Sequence, residues 1–189
     1  ICNVVGSTIA RETGRGVYLH AGPEIGVAST KAFTCQVAVL LMMALKFGRC
    51  HRLTRQRGID ICREIEKVPD IVGRVLEEHD HIKRVAEKYA EKEDFFYIGR
   101  GYLYPAALEG ALKLKEISYI HAEGYHAAEL KHGPIALLDE KTPVVALINE
   151  VPGKEKTLGN AEECLARNAP VIGIATAGDE IATRLDDTI

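Results

Sequence analysis

The sequence predicts an α/β fold: a three-layer α/β/α sandwich around a parallel sheet, of the flavodoxin-like or Rossmann-like kind. Three observations carry that reading. Short, continuously apolar runs recur at residues 95–98 (FFYI), 144–148 (VVALI) and 170–175 (PVIGIA), and each reads as a buried strand. Helical patterns lie between and after them, at residues 105–116, 155–168 and 180–185. Strands alternating with helices are the pattern of a parallel sheet with crossover helices on its faces.

Taken in order, residues 1–5 and 17–21 read as two short strands, with a loop at Gly6-Ser7-Thr8 and a polar turn at 11–14 between them. Neither finds a sheet partner within the chain. Residues 21–24 form a turn, and a helix follows at 31–47 around VAVLLMMAL. Ser29 and Thr30 precede it. One reading makes them N-caps alone; the other adds a ligand, because a helix N-terminus offers free N–H groups and a positive dipole end to sugar hydroxyls or phosphate. The basic run RCHRLTRQR at 49–57 has no interleaved aromatics, so a solvated linker is preferred over a nucleic-acid contact. Helical spacing returns at 59–65 and 71–89, with Ile71, Val75, Ile82, Val85 and Ala86 on the apolar side. After the FFYI strand, Gly99-Arg100-Gly101 breaks the chain and Pro105 suits a first helical turn. That order opens a crevice at the strand's carboxyl end, the usual ligand position in such sheets, although a plain β–α turn explains the glycines equally well.

The 189 residues are 47% hydrophobic and 27% charged, an ordinary globular composition. With a net charge of −3, nucleic acid is not an expected partner. No uninterrupted apolar run reaches the ~18 residues of a membrane span; the longest, 37–45, fits a buried helix. No membrane partner and no secretory signal are expected, and Ile1 is not an initiator residue, which suggests a truncated or processed chain. Five cysteines, with no CxxC, suggest neither a disulfide framework nor a zinc site. They read as reduced thiols of a cytoplasmic protein. Cys50-His51 lacks the further ligands that a metal site needs.

Residues 109–134, EGALKLKEISYIHAEGYHAAELKHGP, pack carboxylates, lysines and histidines into a segment otherwise suited to a core helix. At roughly 100° per residue, Glu109, Lys113 and Glu116 fall within about 60° of one another. The helix is expected to be largely buried, with one narrow charged stripe. A buried charge must be paired or must shift its pKa. Spacing alone leaves two readings open, a structural ion network and a catalytic carboxylate. Downstream, Glu129, Lys131 and His132 stand beside the Gly133-Pro134 turn, where regular structure ends. A histidine there is a candidate acid/base.

ALEGALKLKEISYIHAEGY followed by ELKHGP, together with EIGVASTKAFTCQ at 24–36 and CNVVGST at 2–8, resembles the glucosamine-6-phosphate synthases, or isomerising glutamine–fructose-6-phosphate aminotransferases. The isomerase half of that family consists of two sugar-isomerase (SIS) domains. The resemblance implies residues 1–48 as the end of the first SIS domain, 49–79 as a helical linker, and 80–189 as a second SIS domain that stops before its own end. It implies ring opening and C1–C2 proton transfer on fructose 6-phosphate, giving glucosamine 6-phosphate with ammonia derived from glutamine. No cofactor and no metal are implied. Glu116 resembles the proton-shuttling carboxylate and His132 the ring-opening acid/base, which in the family comes from the neighbouring subunit of a homodimer. Lys113 resembles the polar partner of Glu116 and of the sugar hydroxyls. Val27, through its backbone, Ser29 and Glu109 are the implied substrate-binding positions. The phosphate-gripping loop, the Schiff-base lysine and the glutaminase domain are expected outside this chain.

Moving a proton between C1 and C2 requires a base that takes it from one carbon and returns it to the other, and a carboxylate of raised pKa in a closed site can do so. Another SIS-domain sugar-phosphate isomerase or deglycase is the alternative. A non-catalytic sugar-phosphate-binding module is a third reading, and it predicts neither a base at position 116 nor a histidine at 132.

Overall fold

The computed structural model describes the backbone of Ile1–Ile189 and all side chains but that of Ala182. The chain divides into two compact units, Ile1–Glu77 and Glu78–Ile189.

The second unit contains the sheet. Its elements are α4 (His79–Lys88), β1 (Asp94–Gly99), α5 (Leu103–Ser118), β2 (His121–His126), β3 (Val144–Ile148), α6 (Lys154–Leu165), β4 (Val171–Ala175) and β5 (Asp187–Thr188). Three 3-10 segments, Ala127–His132, Pro134–Leu137 and Glu180–Arg184, fill connections. The strand order is β2-β1-β3-β4-β5, and every pairing is parallel. The expected α/β layering is therefore observed, with β2 and β5 as elements the sequence pattern did not show.

Alternation along the strands explains the layers. Phe96, Ile98, Val144, Ala146, Ile148 and Val171 point to one face, where they pack with Leu158, Ala161 and Cys164 of α6 and Leu130 of the first 3-10 segment. Phe95, Val145, Leu147 and Ile172 point to the other, against Val85, Ala107 and Ala111 of α4 and α5. The central strands β1, β3 and β4 are covered on both sides, so 95–98, 144–148 and 171–175 read as continuous apolar runs.

Helix α5 lies close to the sheet because its inward residues are small. Only Ala107 and Ala111 are buried on it. A Cβ on Gly124 of β2 would sit 2.8 Å from the Leu108 Cα. The expectation of a largely buried helix is corrected: Leu108 is 42% and Ile117 is 67% exposed. A single alanine face meets the sheet, while Leu108, Leu112 and Ile117 on its other sides stay exposed.

At the far edge, β5 is only two residues long, and side chains from α4 and from Tyr89 just after it hold it. Tyr89 Oη donates to Asp187 Oδ2 at 2.8 Å, Lys88 pairs with Asp187, and His81 Nε2 meets the Thr188 carbonyl at 2.7 Å. Burial opposes ionisation of Asp187, but the bonds from Lys88 and Tyr89 outweigh it and hold its carboxyl below the ordinary range.

The first unit holds α1 (Thr8–Thr13), α2 (Lys31–Cys50) and α3 (Arg55–Glu77). Several expectations are corrected here. The two N-terminal strands reduce to one parallel bridge between Cys2 and Tyr18, since no third strand extends the pairing. The expected loop and polar turn are instead α1, capped by Ser7 and closed by Gly14 in the left-handed conformation. The basic linker shrinks to residues 51–54, because α2 and α3 run into it from both sides. Helix α3 passes through Pro69 without a break, so the helical stretches expected at 59–65 and 71–89 are instead α3, ending at Glu77, and α4, beginning at His79.

Helix α2 also departs from expectation. Only Ala32 and Val39 are buried on it, and it is long and apolar enough by length and composition to cross a membrane. Ala32, Phe33 and Cys35 before the VAVLLMMAL run, and Phe47, Gly48 and Cys50 after it, extend its apolar character over the helix.

Two expectations follow. Gly124→Ala drives a methyl into the α5 backbone and lowers stability by about 1–3 kcal/mol, read from chemical unfolding of the full-length protein. Asp187→Asn is less stable than the wild type at neutral pH. Because the folded carboxyl sits below its unfolded value, that difference closes as pH falls below about 4, read from parallel unfolding curves in acid.

Candidate functional site

Helix α5 presents Glu109, Lys113 and Glu116 on one flank. Lys113 Nζ donates to Glu116 Oε2 at 2.6 Å and lies 3.3 Å from Glu109 Oε1. The three side chains are 21–31% exposed, so they line a surface accessible to small molecules. The bond to Glu116 pushes the Lys113 pKa up; partial burial opposes this, and Glu109 adds to the rise. Lys113 therefore keeps its proton at any working pH, and a fixed cation stands between two carboxylates. The ion network, one of the two readings left open by the spacing, exists and places Glu116 beside a fixed positive charge.

His132 ends the 3-10 segment Ala127–His132 and is exposed. Ala127 and Leu130 anchor that segment in the core. Lys131 turns the other way and pairs with Glu163 of α6 at 2.6 Å. After His132 the backbone reverses at Gly133, whose φ of 147° and ψ of −56° would strain any other residue. Among the described residues, no hydrogen bond or ion pair joins His132 to the Glu109–Lys113–Glu116 network.

Val27 and Ser29 lie in the first unit. Val27 is 92% exposed, leaving its backbone open, and Ser29 is half-buried. The capping expected of Ser29 and Thr30 is corrected. Thr30 occupies the cap position without a side-chain bond. Glu24 instead accepts from the N–H groups of Thr30 at 3.1 Å and Ala32 at 3.2 Å. A carboxylate satisfies these donors well because it also meets the positive end of the helix dipole.

Sequence reasoning missed the polar side chains beside the 3-10 segment. Arg100 Nη2 donates to Asn160 Oδ1 at 2.7 Å, and Asn160 Nδ2 donates to Glu163 Oε2 at 3.2 Å. The available signal was an asparagine on the inward face of α6, between Leu158 and Cys164. Among the described residues, no group of three or more His, Cys, Asp or Glu side chains could hold a metal ion.

Lys113→Met leaves Glu109 and Glu116 facing each other without the cation. Their repulsion should then make the variant less stable than the wild type at neutral pH. Chemical unfolding of the full-length protein reads the difference, and an unchanged midpoint would show that Lys113 does not relieve that repulsion.

The SIS domain model matches residues 1–46 and 88–189. The chain is 53% identical over 189 residues to a glutamine–fructose-6-phosphate aminotransferase (isomerising) of Chlorobaculum tepidum, covering 100% of this chain and 31% of that protein. It is 50% identical over 188 residues to the enzyme of the same name from Bacteroides thetaiotaomicron, covering 99% of this chain and 31% of that protein. The chain thus spans about a third of the length of these curated relatives. Among solved structures, the C-terminal domain of glucosamine-fructose-6-phosphate aminotransferase from Francisella tularensis superposes with a TM-score of 0.93 at 40% identity, covering 100% of this chain and 53% of that one. The parallel sheet and the family match over most of the chain agree, and the chain belongs to the SIS domain family.

Proposed function

We propose that this chain is the isomerase portion of an isomerising glutamine–fructose-6-phosphate aminotransferase. In this reading it makes glucosamine 6-phosphate, a precursor for amino-sugar nucleotides, from fructose 6-phosphate and glutamine-derived ammonia. The observation that carries the reading is the Glu109–Lys113–Glu116 network on α5, in a chain about half identical over its full length to relatives of that name.

The chemistry follows from the residues. His132 donates a proton to the ring oxygen, the bond from C2 to that oxygen breaks, and the C2 hydroxyl releases its proton to give the open-chain ketone. Ammonia replaces the C2 carbonyl oxygen, giving an imine and water. Glu116 takes a proton from C1 as the imine nitrogen gains one, leaving an enaminol with a double bond between C1 and C2. Glu116 then returns its proton to C2 as the C1 hydroxyl loses its own, which balances the proton gained by nitrogen, and becomes the aldehyde. Lys113, held protonated by Glu116 and Glu109, offsets the negative charge that develops in the transition state. Val27, through its backbone, and Ser29 are the proposed substrate-binding positions of the first unit.

The exposure of His132 suits a histidine that serves the site of a second subunit, and a homodimer is part of the proposal. So are a cytoplasmic location and a glutaminase domain in the full-length protein. The SIS match over residues 1–46 supports reading α2 as a domain helix and not as a membrane span.

In D2O, the full-length protein should place deuterium at C1 of fructose 6-phosphate. Glu116→Gln should abolish this while sugar-phosphate binding stays measurable. Exchange that persists in the variant overturns the assignment. Mixing inactive Glu116→Gln and His132→Ala proteins should restore part of the activity if each site draws its histidine from the partner.

A further inference from the structure

Four side chains from three elements form one polar chain. Arg100 comes from the loop after β1, Asn160 and Glu163 from α6, and Lys131 from the 3-10 segment. The contacts run Arg100 to Asn160 at 2.7 Å, Asn160 to Glu163 at 3.2 Å, and Glu163 to Lys131 at 2.6 Å. Asn160 is 5% exposed, on a helix face whose neighbours Leu158, Ala161 and Cys164 are apolar. A buried amide there costs stability relative to an apolar side chain unless its bonds are made. It makes them, to a guanidinium and a carboxylate. Such a network contributes direction, since charged hydrogen bonds fix angles that apolar packing leaves loose.

The direction it fixes is that of the segment carrying His132. Residues of a 3-10 helix step by roughly 120°. Leu130 points into the core with no exposed surface, and Lys131 is drawn to α6. Two of the three directions around the segment are taken, and His132 is left the third. Burial works against the Glu163 carboxylate, but Lys131 and Asn160 outweigh it and hold the pKa below the ordinary range, so the pair is charged at neutral pH.

We propose that Arg100, Asn160, Glu163 and Lys131 act as positioning residues that set the orientation of His132 for ring opening. The proposal rests on the reading of His132 as the ring-opening acid/base.

The test compares two substrates on the full-length enzyme. Fructose 6-phosphate must be opened. Its 5-deoxy analogue lacks the hydroxyl that closes the ring and stays acyclic. Deuterium incorporation at C1 is followed for both. Glu163→Gln keeps the side chain's shape and removes its charge, so the fold is expected to survive, which thermal unfolding checks. It should slow exchange into fructose 6-phosphate by about tenfold, a fraction of the usual general acid–base factor, through the turnover rate and not KM. Exchange into the analogue should change less than about twofold, since it needs no general acid at the ring oxygen. Lys131→Met should show the same selective loss, and Lys131→Arg should restore it. Equal slowing of both substrates, or of neither, overturns the proposal. Wild-type enzyme that exchanges neither substrate would instead overturn the functional reading beneath it.

Discussion

A parallel sheet must be covered on both faces, and that requirement organises the second unit. Continuous apolar strands leave no polar side for water, so helices must bury both surfaces. Helix α6 and the 3-10 segments cover one face, and α4 and α5 cover the other. The functional groups then sit where coverage ends. Glu109, Lys113 and Glu116 occupy a flank of α5 turned away from its alanine face. His132 lies where a segment anchored by Leu130 turns outward. The site is assembled at the margins of two hydrophobic clusters.

The charged flank satisfies two demands together. Two carboxylates about two turns apart on one flank would repel one another, and Lys113 between them offsets that repulsion with contacts to both. In the proposed chemistry the same cation stands beside the carboxylate that moves the proton. Partial exposure keeps the network modest as a source of stability, because water screens such pairs. Its value for chemistry lies in geometry held before substrate arrives.

Much of this was legible in the residues, and what was not has physical reasons. FFYI, VVALI and PVIGIA announced three central strands because both of their faces are buried. The β2 sequence HAEGYH carries one apolar residue fully into the core, Ala122, and pairs on a single side, so no apolar run betrays it. Strand β5 is defined by its ties to α4 and Tyr89 and not by its own two residues. The spacing of Glu109, Lys113 and Glu116 revealed their contact because i, i+4 and i, i+3 neighbours meet on any helix. The relay through Asn160 joins residues 60 apart at its longest step, which periodicity cannot reach. The exposure of α2 and of the outer side of α5 was equally invisible, since a sequence records which residues are apolar and not which neighbours arrive to cover them.

The run from β1 through α5 to β2 has a consequence for how the chain reaches this structure. The two strands are neighbours in the sheet and adjacent in sequence, with six paired positions, and α5 packs tightly over both, at Gly124 and at Tyr97 against Gly110. Closing this βαβ unit requires a shorter loop than bringing β3 to β1 through the intervening 3-10 segments, so it carries the smaller entropic cost. The carboxylates and lysine of the site are built into the piece that local contacts favour first. His132 sits in the connection that must wait for β3 and α6. Assembly would thus supply the charged flank of α5 before His132, and slow docking of α6 would delay only the latter.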